Sequence, residues 1–401
     1  MKRKEITIVA TVSALILIVL IVVAGVTIRN KASASRAADK TITESQTGNG
    51  ASKIEIIETE EVSETAPTEN METETTEDVT QETETEAVAE ATEEAEAYEE
   101  VVSDGEIVEY GPVVVLDGAA YERVGFKEDV ALSYAETINE FANDLQGVAE
   151  VYDLLIPLGS GITFPDNRRD EINSSDQHAT MELIFGALDD VVKKVDVYDA
   201  LMSHRSEYIY FRTDHHWTAR GAYYAYTKFC EAKGIEAAAL DSYETDAFEG
   251  FLGTYYMDTK DKSLKEGKDT VEVFYPKSDT SFTVTPEEGD IFSWRVVNDV
   301  STYKPGTKYS TFIAGDNPYS VIENKDVTDG TSCVVVKESF GNAFVPFLVD
   351  HYQTIYIVDY RYWEGSLEQL VKDTGAQDLI FANNLSMVSN KYLVGQLRKV
   401  K

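Results

Sequence analysis

Residues 113–401 of this 401-residue chain predict an α/β domain: a parallel sheet flanked by helices, with a β-rich insertion. Two observations carry that reading. Short apolar runs alternate with helical periods toward the C-terminus at the spacing of βαβ units. The two motifs with reactive side chains follow strand-like runs, where open parallel sheets carry their sites. The residues ahead of position 113 read differently, as an anchor and a stalk.

Residues 6–28 are 23 uncharged, mostly apolar positions behind Met1-Lys2-Arg3-Lys4. About 20 such residues cross a bilayer core, so residues 1–33 read as an N-terminal signal anchor with its transmembrane helix at 6–28. Ala24-Gly25 is the alternative, as a cleavage site. The basic cluster puts the N-terminus in the cytoplasm and the body outside the cell, on a single-pass protein of the cell membrane. Residues 34–112 read as a disordered acidic linker: 51–112 hold 22 Asp or Glu and one Lys. Such a segment cannot bury enough apolar surface to offset its ordering entropy. Flexible, its 79 residues would span on the order of 50 Å.

The net charge is −37. A surface of that sign repels polyphosphate, which excludes nonspecific nucleic-acid binding. Two cysteines, Cys230 and Cys333, cannot build a disulfide scaffold. Both read as small buried hydrophobes, with a bond between them left open.

Within the body, Val130, Tyr134, Ile138 and Phe141 recur at helical spacing over 127–147. The run 151–158 is apolar and closes at Gly159-Ser160-Gly161, as a buried strand does. A helix follows at 175–190, then strand-like runs at 196–200 and 208–211. Thr218 caps a helix over 219–232 that Gly234 ends. In that helix Tyr223, Tyr224 and Tyr226 read as packing residues. The stretch 240–330 is rich in Thr, Ser, Tyr and Gly and reads as the insertion. Strands at 332–336, 354–359 and 378–381 then alternate with helices at 342–351 and 365–374.

The first motif is Asp214-His215-His216-Trp217, ahead of the Thr218 cap. Histidine shuttles protons near neutral pH, and a carboxylate fixes its tautomer. The second is Lys337-Glu338-Ser339-Phe340-Gly341-Asn342, a buried strand turning into a helix. That turn exposes a hydroxyl where helix N-terminal amides stabilise an anion. Asn342 offers a further amide for an oxyanion hole. Ser339 and Asn342 equally suit helix caps, and Asp214 suits one too. Ser, His and Asp together favour nucleophilic catalysis. Arg361 suits a glycan or acyl carboxylate, or a pairing with Asp359 or Asp350. Asn383 and Asn384, past the last strand, suit substrate hydroxyls.

Asp214-His215-His216-Trp217 resembles the defining tetrad of the DHHW proteins, which are similar to alginate and peptidoglycan O-acetylation proteins of the SGNH hydrolase superfamily. Stretches at 155–159, 213–222, 248–256 (FEGFLGTYY) and 337–362 match that pattern, so the resemblance covers nearly all of 113–401. It implies an SGNH-like sheet in permuted order, with the serine last. It also implies a triad of Ser339 as nucleophile, His216 as base and Asp214 as orienting acid. Gly341, Asn342 and His215 stand near that triad as oxyanion or substrate candidates. One departure is evident: the superfamily's Gly-Asp-Ser is Lys337-Glu338-Ser339 here. Asp-His-His also resembles the manganese-binding DHH phosphoesterases, but no Asp-x-Asp pair accompanies it, and no metal site is expected.

The function implied is a serine-dependent, extracytoplasmic O-acetyltransferase. Its acetyl donor would be a membrane-bound O-acyltransferase partner, and its acceptor a cell-surface or cell-wall polysaccharide. No nucleotide or coenzyme motif is present, so no cofactor is expected. Two alternatives stay open: a carbohydrate esterase with the same triad, and a non-catalytic glycan- or partner-binding surface protein.

Overall fold

The computed structural model describes residues 98–401. The expected transmembrane segment and the linker up to residue 97 lie outside the described residues. Among those described, no helix is long and apolar enough to cross a membrane.

The linker was expected to run to 112, but 98–112 is docked on the body. Val101 donates its N–H to Asp166 Oδ2 at 2.9 Å, and Ser103 donates its own to Asn167 Oδ1 at 3.0 Å. Strand β1 (Val108–Tyr110) pairs antiparallel with β2 (Val113–Leu116), which pairs with β3 (Ala119–Glu122). The acidic composition continues past the point where packing begins. Ile107 lies against Val114, Leu116 and Phe164, burying apolar surface that composition alone does not reveal.

The central sheet has eight strands in the order β5-β4-β13-β11-β12-β10-β8-β9. The first five are β5 (Val192–Asp196), β4 (Glu150–Ile156), β13 (Asp378–Asn384), β11 (Ser332–Lys337) and β12 (Thr354–Asp359), all parallel. Strands β10 (Tyr319–Asn324), β8 (Thr280–Thr285) and β9 (Phe292–Trp294) extend it antiparallel. The stretch 240–330 is therefore only partly an insertion. Its β6 (Glu244–Phe251) and β7 (Asp269–Tyr275) form a separate two-stranded sheet, whereas β8, β9 and β10 complete the main one.

Helices cover both faces. On β4, Tyr152 and Asp153 point to opposite sides, as successive strand residues must. Tyr152 meets Phe229 of helix α3 (Ala219–Lys233) with ring centroids 5.2 Å apart. Asp153 instead accepts the hydroxyl of Tyr134 on α1 (Glu128–Asp144) at 2.5 Å. Phe381, opposite Asp153 in register, packs on Phe141 of α1. The α2 helix (Gln177–Ala187) is capped by Asp176, whose carboxylate accepts from Ala179 N. The strands β4, β11 and β13 are almost wholly buried, which is why 333–336 of β11 and 379–382 of β13 read as unbroken apolar runs.

Two short segments depart from the sequence expectation. The strand expected at 196–200 lies earlier, at β5, and Tyr198–Ser203 is helical. Lys193 and Lys194 are solvated on this edge strand, which masks its apolar pattern. The run 208–211 joins no sheet and makes only an isolated bridge between Tyr210 and Trp217.

Candidate active site

Strand β11 ends at Lys337, and helix α4 (Gly341–Leu348) begins four residues later. The chain turns so tightly there that a Cβ on Gly341 would lie 2.5 Å from the Cβ of Lys337. Glycine is therefore required by close approach. Ser339 sits on this turn, half-buried, at the carboxyl end of the parallel strands.

The Asp214–Trp217 segment is a loop held from below rather than the end of a sheet strand. The fully buried carboxylate of Asp269, on β7, accepts from Arg212 N at 3.1 Å, from Thr213 N at 2.7 Å and from Thr213 Oγ1 at 2.6 Å; it also accepts the hydroxyl of Tyr208. A buried charge that gathers this many donors fixes the backbone on which it acts. Thr218 caps α3 through Gly221 N, and Gly234 ends it at φ +75°, both as expected.

This loop and the Ser339 turn meet. His216 Nε2 lies 2.7 Å from Ser339 Oγ, and His216 Nδ1 lies 2.5 Å from Asp214 Oδ1. A carboxylate only accepts, so Nδ1 carries the proton and Nε2 is left to accept the serine hydroxyl. The second Asp214 oxygen accepts from Thr254 N at 2.8 Å and from Thr254 Oγ1 at 3.1 Å. Burial alone would raise the Asp214 carboxyl, but the charges of His216 and His215 and these hydrogen bonds hold it well below the usual carboxylate range. The acid is ionised throughout the neutral range.

Three further residues complete the frame. Gly253 presses its backbone onto Asp214: a Cβ there would lie 2.1 Å from the Asp214 Cβ. Tyr309 stacks on the His216 ring, centroids 3.9 Å apart and planes 11° apart, and donates its hydroxyl to Ser339 O at 3.0 Å. Trp217 donates its indole N–H to Phe340 O at 2.9 Å. Gly253 lies in the matching stretch 248–256. Tyr309 has no sequence signal, because it comes from a 3-10 turn (Pro305–Thr311) with no periodicity.

The other sequence candidates fall elsewhere. Gly341 N–H donates to Glu338 O at 3.0 Å, and Phe340 N–H donates to the Glu338 carboxylate at 3.1 Å. These helix N-terminal amides are therefore spent on Glu338, not left for an oxyanion. Glu338 is fully buried; it also accepts from Asn384 N at 3.1 Å and stands 3.4 Å from Ser339 Oγ. Burial raises its carboxyl above the ordinary value. Asn342 commits an N–H to Asp316 at 2.9 Å, and its carbonyl oxygen is buried without a partner. Arg361 is not a free cation: it pairs with Asp359 at 2.6 Å and Asp316 at 2.9 Å, and Asp350 lies elsewhere, accepting from Ser278.

Lys337 sits inside the same network, 3.2 Å from both Asp316 and Asp359 and 1% exposed, so it turns away from solvent rather than lying free beside Ser339. Asn383 is wholly buried in β13, against Tyr134, because that strand runs three residues longer than its apolar run indicates. His215 stays at the site, partly exposed, its Nδ1 2.7 Å from Thr254 Oγ1; burial and His216 hold its imidazole below the ordinary value. Asp214, His215 and His216 stand close enough to share an ion. Both His216 nitrogens are already engaged, however, with Asp214 and Ser339, which suits proton transfer better than ligation. Cys230 and Cys333 are buried free thiols.

A helix-flanked sheet of this order, with a serine on the turn after its central strand and within reach of a His–Asp pair, is an SGNH-hydrolase-like fold. The chain belongs to the DHHW family: the family model described as DHHW protein matches residues 40–358. It is similar to a solved DHHW family protein from Eubacterium siraeum, with a TM-score of 0.67 and 29% identity over 74% of this chain and 98% of that one. It shares its fold with PatB1 of Bacillus cereus, solved with a sulfonyl adduct (TM-score 0.60, 19% identity, 72% of this chain and 100% of that one). A second PatB1 structure matches at 20% identity and TM-score 0.60, over 74% of this chain and 100% of that one. No curated protein matches the chain.

Proposed function

We propose that the chain is a membrane-anchored, extracytoplasmic O-acetyltransferase that passes an acetyl group through Ser339 to a cell-surface or cell-wall polysaccharide. The observation that carries the reading is the relay from Asp214 through His216 to Ser339, at 2.5 and 2.7 Å. His216 Nε2 takes the Ser339 proton as Oγ bonds to the acetyl carbon. The leaving group departs with that proton, leaving an acetyl-serine. An acceptor sugar hydroxyl then gives its proton to Nε2 and attacks the same carbon. Ser339 Oγ leaves and recovers the proton. Asp214 holds the imidazole tautomer and stabilises the transient imidazolium.

Membership of the DHHW family, whose members are similar to acetylation proteins, supports acetyl as the group carried. The donor would be a membrane-bound O-acyltransferase. The apolar segment at 6–28 and the acidic stretch after it support a tethered domain reaching from the membrane into the wall.

The test is to incubate the full chain in detergent with an activated acetyl ester and a soluble oligosaccharide. Acetylated saccharide supports transfer. Free acetate alone would make the chain an esterase, and no turnover above that of Ser339→Ala would make it a binding protein.

A further inference from the structure

Arg205 is buried, 5% exposed. Two of its nitrogens are satisfied: one pairs with Asp166 at 2.8 Å and one donates to Phe164 O at 3.1 Å. Its Nε–H is buried without a partner. A charged donor left unpaired in the interior costs more than an ordinary lost hydrogen bond, so its persistence needs a reason. Arg205 lines a cavity of about 200 Å³ between the β3 strand and the loop that carries His216. Asp214 and His215 line it too, so it lies beside the acid end of the triad.

The remaining wall has a consistent chemistry. Arg212 is half exposed; its Nε makes only a 3.4 Å contact with Asp269, and its guanidinium lies 5.0 Å from the Tyr208 ring centre. Tyr121 and Tyr255 add aromatic surface, and Ala119 leaves the space open. Apolar rings with a few convergent donors are the make-up of a small-molecule site. The cavity, about 200 Å³, has room for a group the size of a single sugar ring.

We propose that this cavity is an acceptor subsite that seats one pyranose residue of the polysaccharide, its ring faces on the tyrosines and its oxygens accepting from Arg212, on a wall that the buried Arg205 guanidinium makes positive. The subsite deepens, and rests on, the acetyl-serine reading of the adjacent triad. It gives the protein a means of choosing which residue along the polymer presents its hydroxyl to His216.

The test is calorimetric titration of the full chain in detergent with neutral, N-acetylated and acidic tetrasaccharides, repeated on Arg212→Ala and on Ala119→Phe, which fills the cavity. At least one tetrasaccharide should bind, and each substitution should weaken it about tenfold or more, as loss of a central contact does. Thermal unfolding confirms that both variants remain folded. Equal binding by all three proteins overturns the proposal. So does a wild-type chain that reacts with a sulfonyl fluoride at Ser339 yet binds no tetrasaccharide, and that result leaves the serine reading standing. A wild-type chain that does not react at Ser339 removes the reading and the subsite with it.

Discussion

Trp217 and Phe340 are joined by one hydrogen bond, indole N–H to backbone carbonyl at 2.9 Å, and each is the chain neighbour of a member of the proposed relay. Trp217 follows His216 and Phe340 follows Ser339. The bond ties two loops 123 positions apart at the point where imidazole and hydroxyl must align. The fourth residue of the Asp-His-His-Trp motif is thereby the tie between the two loops, and it is wholly buried.

Trp217→Phe should keep most of the packing and lose the tie. Stability should fall by about 1–2 kcal/mol, part of it from the orphaned carbonyl. Turnover of an activated acetyl ester should fall further, on the order of tenfold or more, because small misplacements of reacting groups are costly. Denaturant unfolding and ester kinetics on one preparation separate the two effects. Equal losses in both would make Trp217 a packing residue only.

Gly253→Ala should be damaging although the glycine's φ of −82° suits any residue. The added methyl would fall on Asp214, and overpacking of this kind costs about 1–3 kcal/mol. Asp214 would have to move, so ester turnover should fall even in the folded fraction. Retained turnover with lowered stability would show that Asp214 moves as a unit with the loop.

Lys337→Met should destabilise the fold by about 3–5 kcal/mol, the usual result of removing one partner from a buried ionic network. Asp316 and Asp359 would then share Arg361 alone. A shift in the urea midpoint at constant slope is the readout. An unchanged midpoint would mean that Lys337 is not held as described.

Asp153 gives a pH signature. Burial pushes its carboxyl up to about 7, against a smaller opposing effect of the Tyr134 hydroxyl. A folded-state pKa above the unfolded one means that the folded protein binds more protons between about 4 and 7. This group's contribution to stability is therefore full below about pH 4, falls as pH rises toward 7, and is level above. The slope is at most about 1.4 kcal/mol per pH unit. Asp153→Asn, which can still accept from Tyr134, should gain on the wild type across that window in urea titrations. Parallel stability curves would contradict the assignment.

Much of this was legible in the sequence, for reasons that particular residues make clear. Strand β11 and the Ser339 turn stand out because six buried residues run into a polar corner. Thr218 and Gly234 bracket α3 because caps are local chemistry. Asn383 was misplaced because β13 ends in two asparagines, and polar residues within a buried strand look like a loop. The pairing of Arg361 with Asp359 is one of the two readings its sequence neighbourhood allows, but Asp316, the partner it shares with Lys337, is not legible because it lies 21 positions before Lys337, in a loop. Tyr309 and the Asp269 anchor are tertiary facts: no local period places a ring on His216 or a carboxylate under Thr213.

The most direct test of the central claim is peptide mass spectrometry of the full chain after treatment with an aryl sulfonyl fluoride, a reagent that labels activated serines. The relay at 2.5 and 2.7 Å predicts a single adduct on Ser339, formed at least a hundredfold more slowly in His216→Ala, on the scale that general-base catalysis supplies. An adduct that ignores Ser339, or that forms at the same rate without His216, would contradict it.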